Sequence, residues 1–308
     1  MNLESVFRPG LFAGQTHIVT GGGSGIGRRT ARELASLGAT VVLVGRKREK
    51  LESVRAEIGG AGGEALAFSC DIREEDQVRA TVRSTLEATG RIDGLVNNAG
   101  GQFAAPLAMI SAKGWDAVVR NNLTGGFLFS RECYVQWMND HGGAIVNIVA
   151  DMWGSMPGMG HSGAARAGMI NFTGTAAVEW APSGVRVNAV APGWIASTGM
   201  DTYPDWMQPY LRRLHTAVPL QRLGTEAEVS AAICFLLSPA AGFISGEVLR
   251  VDGAAPNAKL ASPLSALMPG GNADDPSSPP PWPLPPHDRS RPWPAPDAAP
   301  AKPPADDD

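Results

Sequence analysis

The eight residues Thr20-Gly21-Gly22-Gly23-Ser24-Gly25-Ile26-Gly27 have the make-up of a phosphate-binding turn. Glycines let a chain bend sharply and let its backbone approach a pyrophosphate closely, and a helix that follows offers unpaired N–H groups and a partial positive charge. The apolar run His17-Ile18-Val19 ahead of the turn suits a strand, and Arg28 to Leu37 behind it carries helix formers with an apolar stripe. Strand, glycine turn and helix together make a seat for a dinucleotide. A second cluster bears on the same ligand. Gly45-Arg46-Lys47-Arg48 follows another apolar run, Val41-Val42-Leu43-Val44. An Asp or Glu there would bind a ribose 2′-hydroxyl and favour NAD. Arg46 and its basic neighbours instead suit the 2′-phosphate of NADP, with a solvated helix start as the alternative for Lys47 and Arg48.

Composition narrows the partners. The chain of 308 residues has a net charge of −4 and 44% hydrophobic residues, enough for a sizeable core and without an electrostatic reason to seek nucleic acid or an anionic membrane. Cys70, Cys133 and Cys234 are far apart, and the five histidines lack ligand spacing, so neither a disulfide framework nor a metal site is expected. The start, Met1-Asn2-Leu3-Glu4, is not a basic region followed by an apolar stretch, and no apolar run approaches the length of about 18 residues that a membrane span needs. A cytoplasmic protein is expected.

The elements that must position these turns alternate along the chain. Strand-like runs fall at 17–20, 40–44, 65–69, 92–96, 144–149, 185–190 and 247–251, and helical patterns near 25–37, 47–58, 74–89, 111–138, 162–180 and 225–238. The alternation predicts βαβ units: an α/β, doubly wound (Rossmann) seven-stranded parallel sheet with helices on both faces, in strand order 3-2-1-4-5-6-7. Continuous apolar runs such as 41–44 suit strands covered on both sides. The pattern stops near Pro256. One domain over 1–257 is expected, followed by a Pro-rich disordered tail over 258–308 that holds most of the chain's 25 prolines.

Asn97-Asn98-Ala99-Gly100, after the fourth strand, together with the Thr20–Gly27 turn, resembles the short-chain dehydrogenase/reductase family. Asn122-Leu123-Thr124-Gly125, Gly143-Ala144-Ile145-Val146-Asn147-Ile148 and Gly184-Val185-Arg186-Val187-Asn188-Ala189-Val190-Ala191-Pro192-Gly193 extend the resemblance over roughly residues 12–254. It implies an NADP site built from Gly21, Gly23, Ser24, Gly25, Ile26, Gly27 and Arg46. Asp71 and Ile72 would serve the adenine, and Asn98, Ala99 and Gly100 the adenosine side. Pro192, Gly193, Ile195 and Ser197 would hold the nicotinamide end. Asp71 also has a reading as helix N-cap for the Glu74-Glu75 segment.

At the reacting centre the chain departs from the family. Carbonyl-reducing members carry Tyr-x-x-x-Lys, with Tyr as acid and Lys lowering its pKa. Here Ser162 and Arg166 stand at those places, still four apart and so on one helix face, and Val149-Ala150-Asp151 replaces the segment with the upstream Ser. Ketone reduction needs an acid at oxygen. Conjugate reduction of a thioester puts hydride on the β-carbon and charge on oxygen, so it needs only donors there. Ser162 and Arg166 can donate, and Arg166 also suits the ribose hydroxyls. The segment 161–168, Gly100-Gly101-Gln102-Phe103 and Ile110-Ser111-Ala112-Lys113-Gly114-Trp115 are similar to the peroxisomal-type trans-2-enoyl-CoA and 2,4-dienoyl-CoA reductase branch. In the family the Asn matching Asn122 holds a water near the active site, with a helix-interior polar residue bonded to backbone as the alternative, and Gln102 and Phe103 would lie near the nicotinamide or thioester. A proton donor stands four residues after the Lys in some members, where this chain has Ile170. Asp151 is then a candidate donor, against a loop-capping role with water as donor, and His161 is a further candidate against a helix-capping role.

The stretch 198–219 is expected as a substrate lid, with Met200, Trp206, Met207, Tyr210 and Leu211 toward an acyl chain and Arg212, Arg213 and His215 toward CoA phosphates; an ordinary amphipathic helix is the alternative. Met152, Trp153, Met156 and Met159 would add an apolar wall. The expected function is NADPH-dependent reduction of an enoyl-CoA or dienoyl-CoA, with an acyl-CoA-type small molecule as partner. A carbonyl or alcohol oxidoreductase with an atypical acid, or a nucleotide-binding protein without turnover, are the alternatives. By resemblance the chain is a homotetramer or homodimer.

Overall fold

The computed structural model describes residues 5–197, 200 and 213–257. The lid residues 201–212 and the segment 258–308 lie outside the described residues. Seven strands form one parallel sheet: β1 (Thr16–Thr20), β2 (Thr40–Gly45), β3 (Glu64–Ser69), β4 (Gly94–Asn97), β5 (Gly143–Ile148), β6 (Val185–Pro192) and β7 (Val248–Val251), in the order β3-β2-β1-β4-β5-β6-β7. This is the expected order. Register is fixed by pairs such as Ile18 with Val42 and Leu95 with Ile145.

The period-2 side-chain rule divides the apolar runs between two cores. Val19, Val41, Leu43, Val96 and Val146 face one layer, with Leu34, Leu51, Val54, Val229 and Ile233 from helices α1 (Gly25–Ser36), α2 (Arg48–Gly60) and α8 (Glu226–Leu237). Ile18, Val42, Val44, Leu95 and Ile145 face the other, against Val78, Val82, Leu128 and Phe129 from α3 (Glu75–Thr89) and α5 (Gly125–Cys133). Valines 41, 42 and 44 and Leu43 are 0% exposed. Each such side chain contributes about 1.5–3 kcal/mol, so packing on both faces adds to the ladders that join β2 to β1 and β3.

Caps set the element ends. Thr225 and Glu228 form a capping box that starts α8. Arg186 ends it, donating to the carbonyls of Leu236, Leu237 and Ser238. The long helix expected over 111–138 is a broken rod. It runs as α4 (Ala112–Val119), a π turn at Arg120–Thr124, α5, a second π turn at Tyr134–Met138 and a last turn α6 (Asn139–His141). Helix α7 (Gly160–Glu179) lies between β5 and β6 in sequence. Among the described residues no helix is long and apolar enough to cross a membrane, and no group of three His, Cys, Asp or Glu is placed to hold a metal.

Candidate active site

A cleft of about 590 Å³ opens over the carboxyl ends of the strands, where the strand order reverses between β1 and β4. The glycine turn forms one wall. Asn98 Nδ2 donates to the Thr20 carbonyl at 2.9 Å, and the Thr20 hydroxyl accepts the N–H groups of Asn98 and Ala99, both at 3.0 Å. This ties the ends of β1 and β4 together. A Cβ on Gly27 would lie 2.4 Å from both Asn98 Nδ2 and the Gly21 carbonyl, and one on Gly21, already at φ +67°, would lie 2.8 Å from Asn98 Nδ2. The cradle therefore exists only without side chains at these positions. Ser24 is the N-cap of α1, and its side chain makes no capping bond. The turn so built fits a dinucleotide pyrophosphate.

Of the residues expected at the cofactor, Gly21, Gly23, Ser24, Gly25, Ile26, Arg46, Asp71, Ile72, Asn98, Ala99, Gly100, Arg166, Pro192, Gly193, Ile195 and Ser197 all line the cleft. Gly27 does not; it is buried behind the turn. Lys50, Leu51 and Asn121 also line it and were not anticipated. Lys50 stands four residues after Arg46, a signal the sequence did contain. The N-cap reading of Asp71 is corrected. Glu74 is the N-cap of α3, and the Asp71 carboxylate accepts two bonds from the Arg73 guanidinium and one from the Arg73 backbone N–H. These bonds hold its pKa down at about 2.

The reacting end is assembled from four directions. Arg166, on α7, donates to the Ile148 carbonyl at the end of β5 at 2.5 Å. Its Nε is buried without a hydrogen-bond partner, and burial lowers its pKa to about 10, so it stays charged at neutral pH. Asn122 sits in the first π turn. Its Nδ2 donates to the Gly101 carbonyl at 2.7 Å and to Val118, while its Oδ1 accepts the Gly101 N–H at 3.1 Å. A Cβ on Gly100 would lie 2.6 Å from Asn122 Oδ1 and 2.8 Å from an Arg166 terminal nitrogen, so this glycine admits both groups.

Ser162 is 0% exposed and does not line the cleft. Its hydroxyl donates to Gln102 Oε1 at 2.5 Å, and Gln102 itself does line the cleft. His161 is also fully buried. Its Nδ1 accepts the Ser162 N–H, and its ring meets Phe103 edge-on at 4.5 Å. Asn122, Ser162 and His161 thus each grip one of the consecutive residues Gly101, Gln102 and Phe103. Asp151 belongs elsewhere. Its N–H donates to the Pro192 carbonyl, and its charged neighbours are Asp252 and Arg250. Burial, and then the Asp252 charge, push its pKa up. It is outside the cleft lining, as is Asn122. Met200 lines the cleft, whereas Trp206, Met207, Tyr210, Leu211 and Arg212 are outside the described residues.

Below these groups a buried polar ladder joins β4, β5 and α7. Asn97 Nδ2 donates to Asn147 Oδ1 at 2.8 Å, Asn147 Nδ2 to Thr173 Oγ1 at 2.9 Å, and Thr173 to the Met169 carbonyl. The donors of this ladder are paired while Asn97 Oδ1 is buried without a partner, and losing any further member would leave another desolvated group.

Fold, cleft and glycine turn define a nucleotide-binding oxidoreductase, and the chain belongs to the short-chain dehydrogenase/reductase family. A family model described as Enoyl-(Acyl carrier protein) reductase matches residues 21–254. The chain is 38% identical, over 77% of its length and 94% of the relative's, to a probable 2,4-dienoyl-CoA reductase of Bacillus subtilis. It is 40% identical, over 78% and 96%, to a 3-oxoacyl-[acyl-carrier-protein] reductase of Synechocystis. A solved structure, the citronellol catabolism dehydrogenase AtuB of Pseudomonas aeruginosa, is 61% identical and covers 82% of this chain and 98% of its own, with a TM-score of 0.74.

Proposed function

We propose that the chain uses NADPH to reduce the C=C bond of a 2-enoyl or 2,4-dienoyl thioester. The observation that carries this reading is the pair Ser162 and Arg166 where carbonyl-reducing relatives hold Tyr and Lys. One is turned inward onto Gln102 and the other is a guanidinium that keeps its proton. The Ser162 hydroxyl is spent on Gln102, and Arg166 stands as a fixed charge in place of the Tyr acid. Both support a charge held on oxygen.

The bound dinucleotide supplies a hydride, and the chain's residues do the rest. Arg166 places positive charge beside the ribose and the developing enolate in a partly buried site, where such charge counts for more than in water. Ser162 fixes the Gln102 amide by its oxygen at the wall of the cleft. Asn122 holds the Gly101 backbone so that this amide stays in place. Asp151, outside the cleft lining, stays out of the reaction, and water supplies the proton to carbon. Arg46, exposed and without an ion pair among the described residues, favours NADPH over NADH.

The test is NADPH oxidation with crotonyl-CoA, longer trans-2-enoyl-CoAs, a dienoyl-CoA and matched 3-ketoacyl-CoAs. Turnover of the unsaturated thioesters alone supports conjugate reduction. Turnover of ketoacyl thioesters overturns it.

The 61% identity to a dehydrogenase of citronellol catabolism favours a second reading, oxidation of an acyclic isoprenoid alcohol. That reaction needs a base for the hydroxyl proton. NADP or NAD reduction with citronellol separates the two readings. We further infer a homodimer or homotetramer through α5, the π turn that follows it and α7, where Phe127, Val135 and Val178 stand 38%, 66% and 77% exposed; light scattering tests it.

A further inference from the structure

We infer that Lys50 is a cofactor-specificity residue, its ammonium binding the ribose 2′-phosphate opposite Arg46. The inference rests on the NADPH reading above and adds the residue that completes the phosphate site. The glycine turn carries no cation of its own: Gly22, Gly23 and Ser24 fill the places between Gly21 and Gly25. Helix α2 brings one in from the other side. A Cβ on Gly23 would lie 3.1 Å from the Cβ of Lys50 and 3.4 Å from Leu51 Cδ2, so the stem of Lys50 leaves α2 directly over the turn. Gly23 is a glycine partly because that helix passes so close.

The charges around this end of the cleft are sorted. Arg48 pairs with Glu52 at 3.5 Å on the outer side of α2. The carboxylate of Asp71 is taken up by Arg73 at 2.5 Å. Arg46, Lys47 and Lys50 all line the cleft, all are exposed, and none has an ion pair among the described residues. Arg46, which also feels the Asp71 carboxylate, Lys47 and Lys50 stand beside a helix N-terminus, and a dianion arriving there relieves their mutual repulsion. Arg46 approaches from the end of β2 and Lys50 from the first turns of α2, so an anion between them meets charge from two sides. A neutral 2′-hydroxyl gains little from either.

The experiment titrates the full chain with NADPH and with NADH, following nicotinamide fluorescence, for the unaltered protein, Lys50→Ala, Lys50→Arg and Arg46→Ala. Alanine keeps the Cβ that packs on Gly23, so the turn is not disturbed. The expected result for Lys50→Ala is a roughly tenfold or larger weakening of NADPH with less than about twofold for NADH, the size of one lost charge-assisted hydrogen bond. Lys50→Arg should recover most of it. Unchanged NADPH binding in Lys50→Ala, with the preference lost in Arg46→Ala, overturns the role of Lys50 and leaves the NADPH reading standing. Equal weakening of NADPH and NADH also overturns it, because Lys50 would then serve the shape of the turn. An unaltered protein with no preference for NADPH removes the cofactor reading and the inference with it.

Discussion

The two ends of the cleft work by opposite means. At the dinucleotide end the protein presents backbone and gaps: Gly21, Gly23 and Gly27 leave room, Thr20 and Asn98 lock the strands, and the helix supplies N–H groups. At the reacting end it presents side chains that hold one another. Asn122 grips Gly101, Ser162 grips Gln102, His161 packs on Phe103 and Arg166 reaches the Ile148 carbonyl. One end is made of absences that any larger residue would fill. The other is made of partnerships in which a member can be lost and partly replaced. Changes at the first should therefore be all-or-none, and changes at the second graded and non-additive.

The largest effect tests the charge at the reacting end. Arg166→Ala should lower kcat about 10²–10³-fold, as loss of one preorganised charge does, with Arg166→Lys intermediate; steady-state kinetics on enoyl-CoA reads it. At the other end Gly27→Ala should destabilise the fold by about 1–3 kcal/mol and abolish measurable NADPH binding, because the added carbon meets Asn98 Nδ2 and the Gly21 carbonyl at 2.4 Å. Thermal melts and titrations check it, and normal binding would refute the idea of a cradle made of gaps. Next in size, Ser162→Ala and Gln102→Ala should each slow turnover roughly tenfold, and the double variant should be no slower than either alone. Additive losses would mean that Ser162 meets substrate by itself. Asp151→Asn should change kcat by less than about twofold; a large fall would return Asp151 to the reaction as proton donor.

One titration bears on the sheet beneath the cleft. His17, in β1, is fully buried, and burial lowers its pKa to about 4, with Asp93 opposing. Its unfolded value is near 6.5, so the unfolded chain binds the extra proton first. Stability conferred by the neutral ring is complete above about pH 6.5 and is lost as pH falls toward 4, by about 3 kcal/mol in all. Melting temperatures between pH 7 and pH 4 should show this fall, and His17→Gln should flatten it.

The strands, their order and the dinucleotide end were legible because continuous apolar runs and glycine turns are local signals. Val41 to Val44 announces a covered strand, and Gly21 to Gly27 announces a phosphate turn without reference to any other part of the chain. Arg46 was legible for the same reason. The reacting end was legible in its members but not in its roles. Ser162 and Gln102 are 60 residues apart, and nothing in either neighbourhood says that the hydroxyl points at the amide instead of at substrate. The capture of Asp71 by Arg73 is local, yet it competes with a capping role that the same residue type favours equally. The π turns carry no sequence period, so the broken rod read as one helix.

The first of those π turns sets a limit on the history of the chain. A single extra residue per turn at 120–124 offsets Asn122 from the helix repeat. Removing one residue there would restore the ordinary repeat and swing whatever precedes it by about 100°. A one-residue change of length in this stretch would therefore cost the bonds between Asn122 and Gly101. Among diverged copies of this sequence, the spacing from Asn122 to Gly126 should be the one interval that never changes by a single residue.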